Sequence, residues 1–254
     1  MGTGHKALLA VGILFLSTLA MADTMGTLMV GGPVTGTTLT IADSALTQLN
    51  SGWANGVTAY IDPYHGVLDG NSVLLFCVDP NHLDNNNPLG YQVSISPNGT
   101  GSNTLQALNY DHGTVTPNSH ILSSAATQAG FTSVSQLYGG LAWLSEQLQG
   151  TTNTVDRQKY QAAIWQLGDY TSTFTVVNPP YIGDLKGIEH DAMTNALGSG
   201  FSVLTDANEV ANGKNAGQEY IILTPEPCTV LLFASGVFGL FMLRRSQLAG
   251  ISKA

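Results

Sequence analysis

The chain has 254 residues, of which only 10% are charged, 29 are Gly and two are Cys, and its formal net charge is −9. An acidic chain with no Lys- or Arg-rich run before its last residues argues against nucleic acid as a partner. Two cysteines, Cys77 and Cys228, make no disulfide framework.

The chain opens with the features of a secretion signal. Lys6 supplies a positive start, Ala7 to Ala20 form an apolar run, and Ala20-Met21-Ala22 is a small-x-small cleavage site. Residues 1–22 therefore read as a signal peptide, with the mature chain starting at Asp23. The competing reading is a retained membrane anchor, which the shortness of the run opposes.

Residues 23–224 read as one extracellular α+β domain. Its first half is strand-like. Thr27 to Val30, Thr35 to Ile41, Val57 to Ile61, Val73 to Val78 and Tyr91 to Ile95 are short, partly β-branched runs separated by Gly, Pro and Asn. Val73 to Val78 is apolar on both faces, which predicts a central strand covered on both sides. The middle turns helical. Ser133 with Gln136 forms a capping-box pattern, and Leu137, Leu141, Leu144 and Leu148 then recur on one helix face.

A second helix is expected from about Thr154, with Asp156 in its first turn, a buried face of Tyr160, Ala163, Ile164 and Leu167, and Gly168 as its C-cap. The short link predicts an antiparallel helical hairpin. Strands return at Phe174 to Val177, Phe201 to Leu204 and Tyr220 to Leu223, with a helix expected from Asp184 to Leu197. The architecture this implies is a β-sandwich or barrel-like core with an inserted helical hairpin, between an N-terminal signal helix and a C-terminal transmembrane helix.

Residues 225–254 form a tail in three parts: Pro225-Glu226-Pro227, an uncharged segment from Thr229 to Leu243, and Arg244-Arg245. As a helix the fifteen uncharged residues span roughly 22 Å, short of the about 30 Å hydrocarbon core. Cys228 and the stems of the two arginines bring the segment close to spanning, and the positive-inside rule keeps the arginines cytoplasmic. A single-pass anchor is the plainer alternative.

The order of these parts resembles the PEP-CTERM sorting signal of exopolysaccharide-producing Gram-negative bacteria. The resemblance implies an exosortase as processing partner, transient residence in the inner membrane, and a mature protein at the cell surface or in the extracellular matrix. Two features depart from the pattern: more residues follow the arginines than is usual, and Cys228 stands where Ser or Thr is commoner. Four of the eight basic and sixteen of the seventeen acidic residues lie in residues 23–224, so the mature segment carries a formal charge near −12.

Two segments carry possible chemistry: Phe76-Cys77-Val78-Asp79 at a strand end, and Gln161-Ala162-Ala163-Ile164-Trp165 on the second helix. Gln161 lies at the flank of the buried face, sharing it with Trp165, and is expected to face the sheet without being sealed off. The pair resembles the thioester domains of bacterial surface adhesins. The resemblance implies that the Cys77 thiol attacks the Gln161 amide, releases ammonia and leaves a latent electrophile for surface amines. Tyr160 stands where that family usually has Thr. The plain alternative is a buried cysteine and an ordinary helical glutamine within the core.

Other patterns are weaker. Asp79, Asn81, Asp84 and Asn85 crowd one loop but lack calcium-loop spacing, and His65, His82, His112, His120 and His190 lack zinc spacing. No metal or cofactor is expected. With no nucleophile–base motif, a secreted hydrolase ranks last. The leading expectation is a non-catalytic structural or adhesive surface protein, with exopolysaccharide or surface amines as possible partners. The alternative is a covalent adhesin using Cys77 and Gln161.

Overall fold

The computed structural model describes residues 23–43, 57–79, 90–100, 104, 110–111, 114–115, 122–168, 174–178, 185–207 and 218–224. Six strands close into an antiparallel barrel. They are β1 (Thr24–Pro33), β4 (Tyr64–Leu68), β5 (Asn71–Cys77), β6 (Tyr91–Pro97), β10 (Phe201–Asp206) and β11 (Tyr220–Leu223), in the spatial order β1-β4-β5-β11-β10-β6. A second sheet orders β3 (Val57–Tyr60), β2 (Thr38–Asp43) and β9 (Phe174–Asn178), and β7 (Tyr110–Asp111) pairs with β8 (Thr114–Val115). The expected sandwich-or-barrel core is thus a closed barrel.

The β4–β5 hairpin was not among the expected strands before Val73. Gly66 interrupts the apolar pattern of Tyr64–Leu68, yet the barrel needs a glycine there: a Cβ at Gly66 would sit 2.6 Å from Leu75 Cδ1. The turn is Asp69-Gly70, both at positive φ (49° and 81°), as a two-residue hairpin with matching twist requires. Asp69 Oδ1 also accepts the Thr27 N–H at 2.8 Å, tying the turn to β1.

β5 differs from its expectation as a strand covered on both faces throughout. Leu75, Phe76 and Cys77 are buried, but Val73 and Leu74 are only half-buried. Its first residues border a cleft of about 660 Å³ whose walls include Leu74, Phe76, Glu146 and Gln149. β10, by contrast, is buried at all six positions.

Four helices are described: α1 (Ser124–Ala129), α2 (Val134–Gly150), α3 (Thr154–Gly168) and α4 (Lys186–Thr194). α1 is short and alanine-rich and escaped the helical periodicity. Ser123 caps it by accepting the Ala126 N–H at 2.9 Å, and Gly130 ends it at φ 99°. Ser133 caps α2 by accepting the Gln136 N–H at 3.2 Å. The Gln136 side chain reaches one residue further back than a strict capping box, accepting the Thr132 N–H at 3.0 Å. Leu137, Leu141, Leu144 and Leu148 are all buried, as their spacing predicts.

Asn153 caps α3 by accepting the Val155 N–H at 2.9 Å, and α3 packs along α2. α4 ends at Thr194, before the expected Leu197. Leu197 instead donates its N–H to the Gly139 carbonyl at 3.0 Å, and the chain turns off there onto α2.

Gly168 does not act as a left-handed cap. It is the last residue of α3, and a Cβ there would lie 2.3 Å from the Val78 carbonyl oxygen. Its role is to let the helix end touch the end of β5.

The expected signal helix (1–22) and transmembrane helix (225–254) lie outside the described residues. Among the described residues no helix is long and apolar enough to cross a membrane.

Candidate functional site

The site forms where β5 ends beneath α3. Cys77 is the last residue of β5 and pairs with Tyr220 of β11. The pairing runs one step further, with the Val78 N–H donating to the Glu219 carbonyl at 3.1 Å. α3 is held over this strand end from both its ends. At its start Arg157 forms an ion pair with Asp62, its Nε donating to Oδ1 at 2.8 Å. Asp62 also accepts the Thr37 N–H at 3.0 Å, and Arg157 Nη1 donates to the Thr151 carbonyl at 2.9 Å. Gln158 Nε2 donates to the Thr38 carbonyl at 3.1 Å. At its finish the bare Cα of Gly168 permits contact with Val78, and Ser123 Oγ donates to the Leu167 carbonyl at 2.8 Å.

Between these anchors the two sequence-predicted residues meet. Gln161 Nε2 donates to the Cys77 carbonyl oxygen at 2.8 Å. One turn along the helix, Trp165 Nε1 donates to Cys77 Sγ at 3.3 Å. The backbone carbonyl and the sulfur of Cys77 are therefore both engaged by side chains of α3. Cys77 is 3% exposed and Gln161 1% exposed. The expectation that Gln161 would not be sealed off is corrected: residues 161–165 of α3 are buried without a break, because the helix is packed by α1, α2, α4 and β9. Tyr160, expected on the buried face, is half-buried.

The electrostatics of the thiol follow from this enclosure. Burial pushes the Cys77 thiol far above the ordinary thiol range, the Trp165 N–H works against that rise, and the negative charge of Asp79 adds to it. The thiol donates to the Asp79 carbonyl at 3.4 Å. Gln218 closes the other side: its Nε2 donates to the same Asp79 carbonyl at 3.1 Å, and Tyr220 OH donates to its Oε1 at 3.0 Å. Next to it, Glu219 accepts from Tyr138 OH at 2.6 Å and from Thr205 Oγ1 at 2.7 Å, joining α2, β10 and β11 in one buried network.

Gln218 and Glu219 carried no motif and sequence reasoning passed over them, while Tyr220 was read only as the start of a strand. They reach the site by the register of β11 against β5, a pairing more than a hundred residues apart in the chain. Trp165 was placed on the correct flank, but its bond to sulfur was not expected.

The other candidate positions are dispersed. Asp79 is buried beside the thiol; Asn81, Asp84, Asn85, His82, His112 and His120 lie outside the described residues. His65 and His190 are exposed, and no metal-holding group of His, Cys, Asp and Glu occurs among the described residues. Cys77 is a free thiol; Cys228 falls outside the described residues. So do Ala20, Ala22, Pro225, Glu226, Pro227, Arg244 and Arg245. Asp23 is described, its Oδ1 accepting from Ser96 Oγ at 2.8 Å.

Chemically, the site holds a buried primary amide on the backbone carbonyl of a buried cysteine, with the Trp165 N–H donating to that cysteine's sulfur. No family model, no curated protein and no solved structure matches this chain.

Proposed function

We propose that this chain is an exported surface protein, sorted at its C-terminus by an exosortase, whose domain carries a latent Cys77–Gln161 thioester for attachment to surface amines. The observation that carries the thioester is the engagement of Cys77 by one helix, through Gln161 at the carbonyl and Trp165 at the sulfur.

The bond forms when Cys77 Sγ attacks the Gln161 side-chain carbonyl carbon. The C–N bond of the amide breaks, and the thiol proton leaves with the nitrogen as ammonia. The step requires the two groups to be held close on packed elements, which the Gln161 bond to the Cys77 carbonyl supports, and it requires enclosure that keeps water from hydrolysing the product. The protein acts once per molecule and turns nothing over, so it is not an enzyme.

Export and sorting rest on the residues of the two ends: Lys6 with Ala20 and Ala22 before Asp23, and Pro225-Glu226-Pro227 with Arg244-Arg245. In this reading the chain passes through the inner membrane, is held there briefly by its tail, and ends at the surface or in the matrix. The acidic mature domain suits a soluble extracellular setting and disfavours nucleic acid.

A second reading keeps the export and drops the bond: a matrix protein in which Cys77 is a core residue. Its support is the depth of the pair, since buried free cysteine is common in cores.

The mass of the intact secreted protein separates the two. The thioester reading expects a chain starting at Asp23 and lighter by one ammonia, which takes up methylamine. A secreted chain of full amide mass, inert to methylamine, rejects the bond and leaves the matrix reading.

A further inference from the structure

Two hydrogen bonds of Cys77 Sγ fare differently in the chemistry just described. In one the thiol donates to the Asp79 carbonyl at 3.4 Å. A thioester has no S–H, so that bond is lost when it forms. In the other the sulfur accepts from Trp165 Nε1 at 3.3 Å. Sulfur remains an acceptor as thiol, thioester or thiolate, and this contact can persist through every stage.

We infer that Trp165 is a catalytic residue of the thioester chemistry, its indole N–H holding the charge that gathers on Cys77 Sγ as the carbon–sulfur bond breaks or forms. This inference rests on the thioester reading above. When an amine opens the bond, its nitrogen joins the Gln161 side-chain carbon and the C–S bond breaks. The electron pair of that bond goes to sulfur, and the proton lost by the amine ends there as well. The products are an N-substituted amide at residue 161 and a thiol at Cys77.

The need for a donor comes from burial. A thiolate in water is hydrated, whereas Cys77 is almost wholly enclosed. The same burial raises the thiol pKa strongly, so an unsupported sulfur anion in this site is disfavoured. A preoriented N–H donor gains strength as charge grows on its acceptor, which lowers the barrier selectively. Trp165 is preoriented, being 2% exposed and one turn from Gln161 on the same buried helix. One rigid element thus supplies both the acyl group and the donor to its leaving group. The carboxamide of Gln218 and a backbone hydrogen bond at Asp79 bear on the sulfur in the same sense, and the charge of Asp79 in the opposite sense. Formation passes through a charged sulfur too, so the donor serves both directions.

The test compares the full secreted chain with Trp165→Phe, which keeps an aromatic ring and removes the donor. Intact mass is followed over time for ammonia loss, then for methylamine uptake. The variant is expected to be slower in both steps by on the order of tenfold or more, the worth of one hydrogen bond to a charged group. Wild-type rates in a folded Trp165→Phe overturn the inference while leaving the thioester reading intact. A wild-type chain that never loses ammonia overturns that reading, and the inference with it.

Should Trp165→Phe not fold, the indole N–H resonances of the three tryptophans decide instead. One of them is expected to shift when methylamine opens the wild-type bond and again in Cys77→Ala. Three unmoved resonances overturn the inference.

Discussion

Gly168 ends α3 directly against the carbonyl oxygen of Val78, at a separation that would place a Cβ only 2.3 Å from that oxygen. The contact is between two backbones, so neither side can give way by rotating a side chain. Gly168→Ala is expected to lift the end of α3 from the end of β5 and to destabilise the domain by about 1–3 kcal/mol, the range of overpacked cores. Urea denaturation measures the loss. Methylamine uptake should fall in the variant even where it remains folded, because Gln161 and Cys77 are carried on the two elements that separate.

The start of α3 makes a different prediction. Asp62 has a side chain with 0% exposure, and its ion-pair partner Arg157 has 12%. Arg157→Met leaves the carboxylate buried with its N–H and hydroxyl donors but without its cation. Removing one partner of a buried pair costs about 3–5 kcal/mol, and chemical denaturation should show a loss near that size. A change under about 1 kcal/mol would mean that water replaces the guanidinium at little cost.

The buried thiol makes stability depend on alkaline pH in a way that reports the bond. In Gln161→Ala no thioester can form and Cys77 stays a free thiol. Its folded-state pKa is raised above the ordinary value of 9.0. Below that value both folded and unfolded chains hold the proton, and the thiol's contribution is fully present. As pH rises past it the unfolded chain ionises first, and stability falls. Gln161→Ala should therefore lose stability between about pH 8 and 10 beyond what Gln161→Ala/Cys77→Ala loses. On the proposed thioester reading the wild-type sulfur is acylated, and the wild-type chain should lack this extra slope. Denaturation midpoints across that range check both statements.

A domain spanning Asp23 to Thr224 is expected to fold without the tail. β11 ends at Leu223, and the Thr224 N–H donates to the Gly200 carbonyl at 2.8 Å. The described barrel is complete at that point. Expression of residues 23–224 should yield a soluble product with a cooperative thermal transition. Insoluble material from a well-expressed truncation would move the domain boundary into the tail.

How much of this was legible in the sequence divides along the range of the interactions. Local patterns read well: the leucines of α2, the start of α3 at Thr154, and β11 to the residue. That Gln161 reaches the end of β5 was also legible, through a short motif on each side, and the contact it makes there is with the Cys77 backbone carbonyl. What failed depended on distant partners. Tyr64–Leu68 was not read as a strand, and the Leu75 side chain that occupies the space beside Gly66 lies on another strand. Gly168 looked like a cap because nothing local points to Val78. The Asp69-Gly70 pair was a readable hairpin signal, and only the weak apolar content of Tyr64–Leu68 hid it. Gln161 was judged by one helix face, whereas packing on several sides determines its enclosure.

The barrel's strand order also dictates when the site can exist. β5 and β6, separated in the chain by fewer than twenty residues, are linked on one side through β4 and β1 and on the other through β11 and β10, which close the barrel. Those two strands are the last to be made. Cys77 acquires its neighbour Tyr220, and the Asp79 carbonyl its Gln218, at the very end of the domain. A chain emerging N-terminus first therefore completes the surroundings of Cys77 only when its last described strand is made, and on the proposed thioester reading the enclosure that protects the bond waits for that strand.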